Sequence, residues 1–254
     1  MSLASSRSSG LGPRRSAAMA DQKVRTGSRH GTDPPQRVIA VLDLDGTITR
    51  RDTFIPFLLG FLRRHPARLW RLVSLPLAVA LFKLGLRDNA WLKERFLSAV
   101  LKDAREDDIA PWTEIFIARL LAGGLRSRAR EVIEEHRAAG HELVLATASL
   151  DLYVHRLAER LGFRVVICST AERRTDDTLS GCLDGPNCHG GAKLAALRSH
   201  IGEPSEDMHV IAYSDHHADL PMLAQADRAV AVNPTRRLRA AARSDRLEIA
   251  DWNR

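Results

Sequence analysis

The sequence predicts an α/β fold: a doubly wound parallel-sheet, Rossmann-like core with a helical cap inserted after its first strand. Three observations carry this. Apolar, often β-branched runs at 38–42, 142–147, 208–213 and 228–232 have the length of strands buried on both faces. From residue 123 onward helical patterns alternate with them, as a parallel sheet requires. One long stretch, 54–121, is helical throughout and breaks that rhythm.

Taken in order, Val38-Ile39-Ala40-Val41-Leu42 forms the first strand and ends in Asp43-Leu44-Asp45-Gly46-Thr47. The helical stretch follows, punctuated near Pro66, Pro76, Gly85 and Pro111. Leu125 to Ala139 is a helix with Val132, Ile133 and Ala138 at helical spacing, stopped by Gly140. Glu142 to Thr147 is the next strand, backed by Ala148 and Ser149, and 150–161 is an amphipathic helix. A strand over 164–168 precedes Asp184-Gly185-Pro186-Asn187, a turn signal that would bring Cys182 and Cys188 together across a hairpin. Gly190-Gly191-Ala192-Lys193-Leu194 opens a helix. The strand from Met208 to Tyr213 runs into Ser214-Asp215-His216-His217-Ala218-Asp219. Arg228 to Val232 is the last strand foreseen, Asn233-Pro234 breaks it, and 236–243 reads as a basic helix.

Chemistry gathers at the carboxyl ends of the strands, where open α/β sheets place their reacting groups. Side chains alternate along a strand, so Asp43 and Asp45 share a side while Leu44 points into the core. Thr147 offers a hydroxyl, Lys193 a point charge, and Asp215 and Asp219 a second pair of carboxylates. Together these suit phosphoryl transfer, in which an anion must be clamped and neutralised. His216-His217 beside Asp219 also admits a zinc reading, but adjacent histidines rarely address one ion, and oxygen donors favour magnesium.

In this order and spacing the four segments resemble the haloacid dehalogenase-like superfamily over residues 37–254, with Ser214 where a Gly is commoner. The resemblance implies that Asp43 attacks phosphorus to form an aspartyl-phosphate, and that Asp45 serves as acid and then base. It implies Thr147 and Lys193 as further catalytic groups. Mg2+ would be held by Asp43, the Asp45 carbonyl and Asp215, with Asp219 orienting that shell or Lys193. Gly46, Thr47, Asp52, Ala148 and Ser149 are expected against the substrate. An acid at Asp45 argues against a dehalogenase, whose halide leaving group needs no proton. The expected domains are 1–36 as a tail, 37–53 with 123–254 as the catalytic core, and 54–122 as the cap.

The cap contains Leu72 to Phe82, 11 residues without a charge, flanked by Arg63, Arg64, Arg68, Arg71, Lys83 and Arg87. At ~1.5 Å per residue it covers about half of the ~30 Å hydrocarbon layer, so it cannot span a bilayer as a simple helix. Two readings stay open: a hairpin buried in the cap, or a segment lying in the headgroup region. Within the superfamily, Asp43 through Arg87 resembles bacterial phosphatidylglycerophosphatases of the phosphoserine-phosphatase-like branch, and Gly185-Pro186-Asn187-Cys188 and Ser214-Asp215 through Leu220-Pro221-Met222-Leu223 resemble the same branch. That resemblance implies a phospholipid phosphomonoester as substrate and peripheral membrane contact through the cap. Phosphoserine phosphatases carry a Glu nine positions after the nucleophile. Asp52 stands there, which keeps a soluble amino-bearing metabolite open as the alternative. A non-catalytic lipid- or nucleic-acid-binding module is the alternative from another class, and the intact set of acids argues against it.

The chain has 254 residues, enough for one full core and an accessory unit. Three irregularly spaced cysteines suggest no disulfide framework and a reducing cytoplasm, with enzyme at the inner face of the membrane where a lipid is the substrate. Residues 1–37 carry seven Lys or Arg against two Asp, so most of the net +7 lies there. That Ser-, Gly-, Arg- and Pro-rich tail lacks the apolar periodicity to fold, lacks a secretory signal, and leaves Met1 and Met19 as alternative starts. Nucleic acid is not an expected partner.

Overall fold

The computed structural model describes residues 37–202, 205–244 and 247–253. The basic tail and both candidate starts lie outside the described residues. Seven strands make one sheet in the order β4-β3-β2-β1-β5-β6-β7. They are β1 (Arg37–Leu42), β2 (Glu142–Leu150), β3 (Val165–Arg173), β4 (Leu179–Asp184), β5 (Met208–Ser214), β6 (Arg228–Val232) and β7 (Glu248–Ala250). Every pairing is parallel except β3 with β4.

β1 is the centre of this sheet, and its alternation shows why it must be apolar on both faces. Ala40 and Leu42 face one core, Ile39 and Val41 the other, and all four are fully buried. The first core lies under α5 (Ser127–Ala138) and α6 (Asp151–Leu161), the second under α7 (Gly191–Ile201), α8 (Leu220–Leu223) and α9 (Arg236–Ser244). Burial on both faces is what makes these strands read as unbroken apolar runs.

Between β1 and α5 come α1 (Phe54–Arg64), a 3-10 segment (Pro66–Ser74), α2 (Leu75–Lys83), α3 (Asn89–Val100) and α4 (Glu106–Arg119). Pro66 and Pro76 stand at the starts of their helical segments, where a missing N–H costs nothing. Gly85 takes a left-handed φ of 71° in the link to α3. Pro111, expected as a break, sits inside α4, which continues through it at the loss of one helical hydrogen bond. α1 and α4 meet where Gly60 leaves room for the Trp112 ring, whose Nε1 donates to the Phe57 carbonyl at 2.9 Å. Phe57, Phe116 and Tyr153 close the cluster, with Phe57 and Tyr153 centroids 4.6 Å apart, and so join this helical segment to α6.

The expected hairpin at 184–187 is corrected. The antiparallel hairpin closes earlier, where the Arg174 N–H donates to the Thr178 carbonyl at 2.8 Å, and β3 and β4 are its arms. Cys182 therefore lies in β4 and Cys188 beyond its end, and all three cysteines are free. Charged residues at 172–174 and 176–177 hide this pair from an apolar-run search, because its outer face meets water. β7 escapes for the same reason, as a three-residue edge strand.

Candidate active site

The site forms beyond the carboxyl ends of β1, β2 and β5. The Asp43 N–H still pairs with the Tyr213 carbonyl at 3.0 Å, extending the ladder by one residue, and the chain then turns through Gly46 at φ 81°. A Cβ on Gly46 would overlap the Asp215 carboxylate, so glycine is required there twice over. Thr47 ties the two loops together: its hydroxyl donates to Asp43 Oδ2 at 3.1 Å and accepts from the Asp215 N–H at 3.0 Å.

Lys193, in the first turn of α7, is buried with its ammonium 2.7 Å from Asp43 Oδ1 and 2.8 Å from Asp219 Oδ2. Burial alone would lower its pKa, but Asp43 and then Asp219 outweigh this and hold it above the ordinary lysine value. Asp219 also accepts from the Ser214 hydroxyl at 2.7 Å, so the serine standing in a commoner glycine's place steadies the partner of Lys193. Burial pushes the Asp43 carboxyl up, against the pull of Lys193.

Asp45 is held by a group of hydroxyls that no sequence pattern revealed. Its Oδ1 accepts from the N–H and the hydroxyl of Thr53, both at 2.7 Å, and its Oδ2 from the Ser149 hydroxyl at 2.5 Å. The Tyr153 hydroxyl lies 2.8 Å from Ser149 and 2.9 Å from Thr53. Burial, then the nearby Asp52, raises the Asp45 pKa, and the Ser149 and Thr53 hydrogen bonds oppose the rise. A carboxyl raised in this way is suited to proton transfer near neutral pH.

A cavity of about 540 Å³ opens over these groups. Asp43, Asp45, Gly46, Lys193, Asp215 and Asp219 form its polar floor, and Asp52 and Ala148 also reach it. Three expected substrate or phosphate contacts lie elsewhere. Thr47 is fully buried between the two loops, Ser149 is spent on Asp45, and Thr147 is fully buried with its hydroxyl accepting from the Ser149 N–H at 3.0 Å. β2 runs on to Leu150 instead of ending at Thr147, which leaves Ala148 as its contribution to the cavity wall.

The cavity also receives cations that the motifs do not mark. Lys93 of α3 is buried and donates to the Ala148 carbonyl and to Asn187 Oδ1; burial pulls its pKa down to about 8. Arg126 reaches the rim while donating to the Gly46 carbonyl at 2.8 Å. Both residues lie more than 40 positions from the nearest motif carboxylate upstream of them, and only the fold brings them in. Phe54, Ile55, Leu92 and Phe96 supply the cavity's apolar lining.

The donors suit a hard divalent cation. Asp43 and Asp215 offer carboxylates, and Asp215 Oδ1 is buried without a hydrogen-bond partner. Burial, then Asp219, raises Asp215 to about 6, a cost that a cation would relieve. Among the described residues no three His, Cys, Asp or Glu side chains converge as a metal cluster. His216 instead accepts from the Ala218 N–H through Nδ1, at 3.2 Å.

Comparison with known proteins agrees with this geometry. Residues 40–224 match the family model of the haloacid dehalogenase-like hydrolases. The phosphoserine phosphatase SerB1 of Mycobacterium tuberculosis is 30% identical over 218 residues, 84% of this chain and 70% of that protein. Protein CicA of Caulobacter vibrioides is 33% identical over 195 residues, 75% of this chain and 83% of its own. A crystal structure of a Bordetella pertussis protein of unknown function superposes with a TM-score of 0.73 at 24% identity, covering 85% of this chain and 99% of that one. The chain belongs to the haloacid dehalogenase-like hydrolase family, and it is a phosphatase.

Proposed function

We propose that this phosphatase hydrolyses a phosphomonoester through a covalent intermediate on Asp43, with an amphiphilic lipid phosphate as its substrate. Asp43 is the nucleophile because Thr47 and Lys193 fix its two oxygens where the carboxylate lines the cavity. Its oxygen attacks phosphorus and the bond to the substrate alkoxide breaks, while Asp45 delivers the proton that the alkoxide needs. Asp45 then takes a proton from the water that splits the aspartyl-phosphate. Lys193 neutralises the phosphoryl oxygens while Asp219 keeps it in place. Mg2+ held by Asp43, the Asp45 carbonyl and Asp215 would supply charge neutralisation at the transferring group. Helices from 54 to 122 act as the cap, and Lys93 joins them to the core through Ala148 and Asn187.

One observation carries the substrate class: the cavity that holds the carboxylates and Lys193 is also lined by Phe54, Ile55, Leu92 and Phe96. A phosphate head on the polar floor with apolar substance along these side chains satisfies both. Asp52 at the cavity edge favours a second reading, a small soluble amine-bearing phosphomonoester of the kind that the name of the M. tuberculosis relative indicates. A panel containing phosphatidylglycerophosphate, phosphatidic acid, phosphoserine and an aryl phosphate separates them. We expect the highest kcat/KM on a lipid, loss of all turnover in EDTA, and recovery with Mg2+ but not with Zn2+. Preference for phosphoserine would replace the first reading with the second.

A further inference from the structure

The outer side of the helical segment carries a second constellation, away from the active-site cavity. Trp70 is 72% exposed, Val73 81% and Leu77 66%, and Leu69, Leu84 and Leu86 are also among the exposed large apolar residues. Trp70 and Val73 are three apart in the 3-10 segment and so lie one above the other, and Leu77 follows four later in α2. Leu75 and Ala78 of the same run are buried, so the run is amphipathic: one side packs and the other meets solvent. Leu72 to Phe82 is thus neither wholly buried nor wholly exposed.

Charge gathers at the same place. Between Phe54 and Arg87 there are six Lys or Arg and no Asp or Glu. A groove of about 360 Å³ is lined by Trp70, Arg71, Val73, Ser74, Arg95 and Lys102, among others. Its acid, Asp103, is already paired with Arg71 at 3.2 Å and Arg174 at 2.8 Å, so it does not cancel Arg95 and Lys102. Hydroxyls and cations in a groove that the exposed Trp70 and Val73 also line match a phosphate headgroup with acyl chains beside it. Among the described residues no helix is long and apolar enough to cross a membrane.

We infer that Leu69, Trp70, Val73 and Leu77 form a membrane-docking face that inserts among lipids at an anionic bilayer surface, with Arg95 and Lys102 receiving a phospholipid headgroup. Tryptophan and short aliphatic side chains at headgroup depth, ringed by basic residues, are the chemistry of a segment that lies in a membrane surface. The link from α2 through Leu84 and Leu86 leads straight into α3, whose Asn89, Leu92, Lys93 and Phe96 line the catalytic cavity. Docking here would hold that cavity at the surface from which a lipid phosphate enters. The inference rests on the lipid reading for its purpose, but its test does not depend on turnover.

The test is flotation of the full chain with vesicles of phosphatidylcholine alone or with phosphatidylglycerol, beside size-exclusion chromatography. Wild-type protein should float with the anionic vesicles. Trp70→Ser with Val73→Ser and Leu77→Ser, all at exposed positions, should weaken that binding at least about tenfold, the loss expected when buried apolar contact is removed. The melting temperature and aryl-phosphate turnover should not change. Arg95→Gln with Lys102→Gln should cost about fivefold per charge on anionic vesicles only. Soluble glycerol phosphate should not compete, because the groove without its apolar contacts is a weak site. Wild-type protein that stays unbound, or triple variant that floats as well as wild type, overturns the inference. So does a dimer that the triple substitution dissolves while vesicles are ignored, since a second copy would then be the occupant. Flotation without lipid-phosphate hydrolysis removes the substrate reading and leaves the docking face standing.

Discussion

Each carboxylate of the site has a different set of neighbours, and its neighbours decide its task. Asp43 is gripped by Lys193 and Thr47, so Asp43→Asn removes the nucleophile and its charge while its amide oxygen can still accept from Lys193 and its NH2 can donate to the Thr47 oxygen. Turnover should fall by about four orders of magnitude or more while the circular dichroism spectrum and melting temperature stay close to wild type. Asp45→Asn should slow alkyl phosphates far more than an activated aryl phosphate, whose leaving group needs no proton; equal slowing of both would contradict the acid role. Thr53 offers a further test, because its hydroxyl donates to Asp45 and meets Ser149 and Tyr153 without lining the cavity. Thr53→Val deletes one donor to the carboxylate, which favours the protonated form and raises the Asp45 pKa. The alkaline limb of kcat/KM should then move to higher pH with kcat reduced about tenfold, and a pH profile of the variant reads this directly.

Among the elements, α1 and α4 set how the helical segment sits on α6 and hence where Phe54, Ile55 and Lys93 meet the cavity. Their closest approach is at Gly60, where a Cβ would intrude on the Trp112 ring. Gly60→Ala should therefore destabilise by about 1–3 kcal/mol, the usual cost of overpacking, although alanine is the better helix former. Thermal unfolding measures it. A variant as stable as wild type would mean that Trp112 can move aside. The neighbouring Phe57, Phe116 and Tyr153 make this junction aromatic, and the Tyr153 hydroxyl carries it to Ser149 and Asp45. Packing of the helices and orientation of the acid are thus one structure.

For the whole molecule, the pH dependence of stability should report a group far from catalysis. His136 of α5 is buried, 2.8 Å from the Tyr213 hydroxyl of β5 and 2.8 Å from His141. Burial, then His141 and Arg228, pulls its pKa down to about 4 from the ordinary 6.5. A histidine with a lowered folded pKa is neutral in the native state while the unfolded chain binds a proton. Its contribution is therefore complete above pH 6.5 and is lost progressively as the pH falls toward 4. The loss should be on the order of a few kcal/mol, and His136→Phe should flatten it in melts taken between pH 7 and 4. An unchanged slope would contradict this assignment, because the raised pKa values of the buried Asp43, Asp45 and Asp215 favour the native state as the pH falls and so act in the opposite direction.

What the chain determines by itself is the set of buried strands and the groups at their ends. Asp43, Asp45, Lys193, Asp215 and Asp219 are legible because each follows an apolar run or opens a helix, and strand period and helix start are local rules. The β3–β4 hairpin and β7 are not legible, since strands with a wet face or at an edge carry no apolar signature. Tertiary structure alone decided the rest. It buried Thr47, Thr147 and Ser149, hydroxyls that sequence order places beside the substrate, because satisfying buried carboxylates and backbone N–H groups takes precedence over facing the cavity. It also brought Lys93 from α3 and Arg126 from before α5 to the site, and split Leu72 to Phe82 into residues that pack and residues that face solvent. Such contacts depend on which helix lies across which strand, and that is settled by the packing of the whole chain.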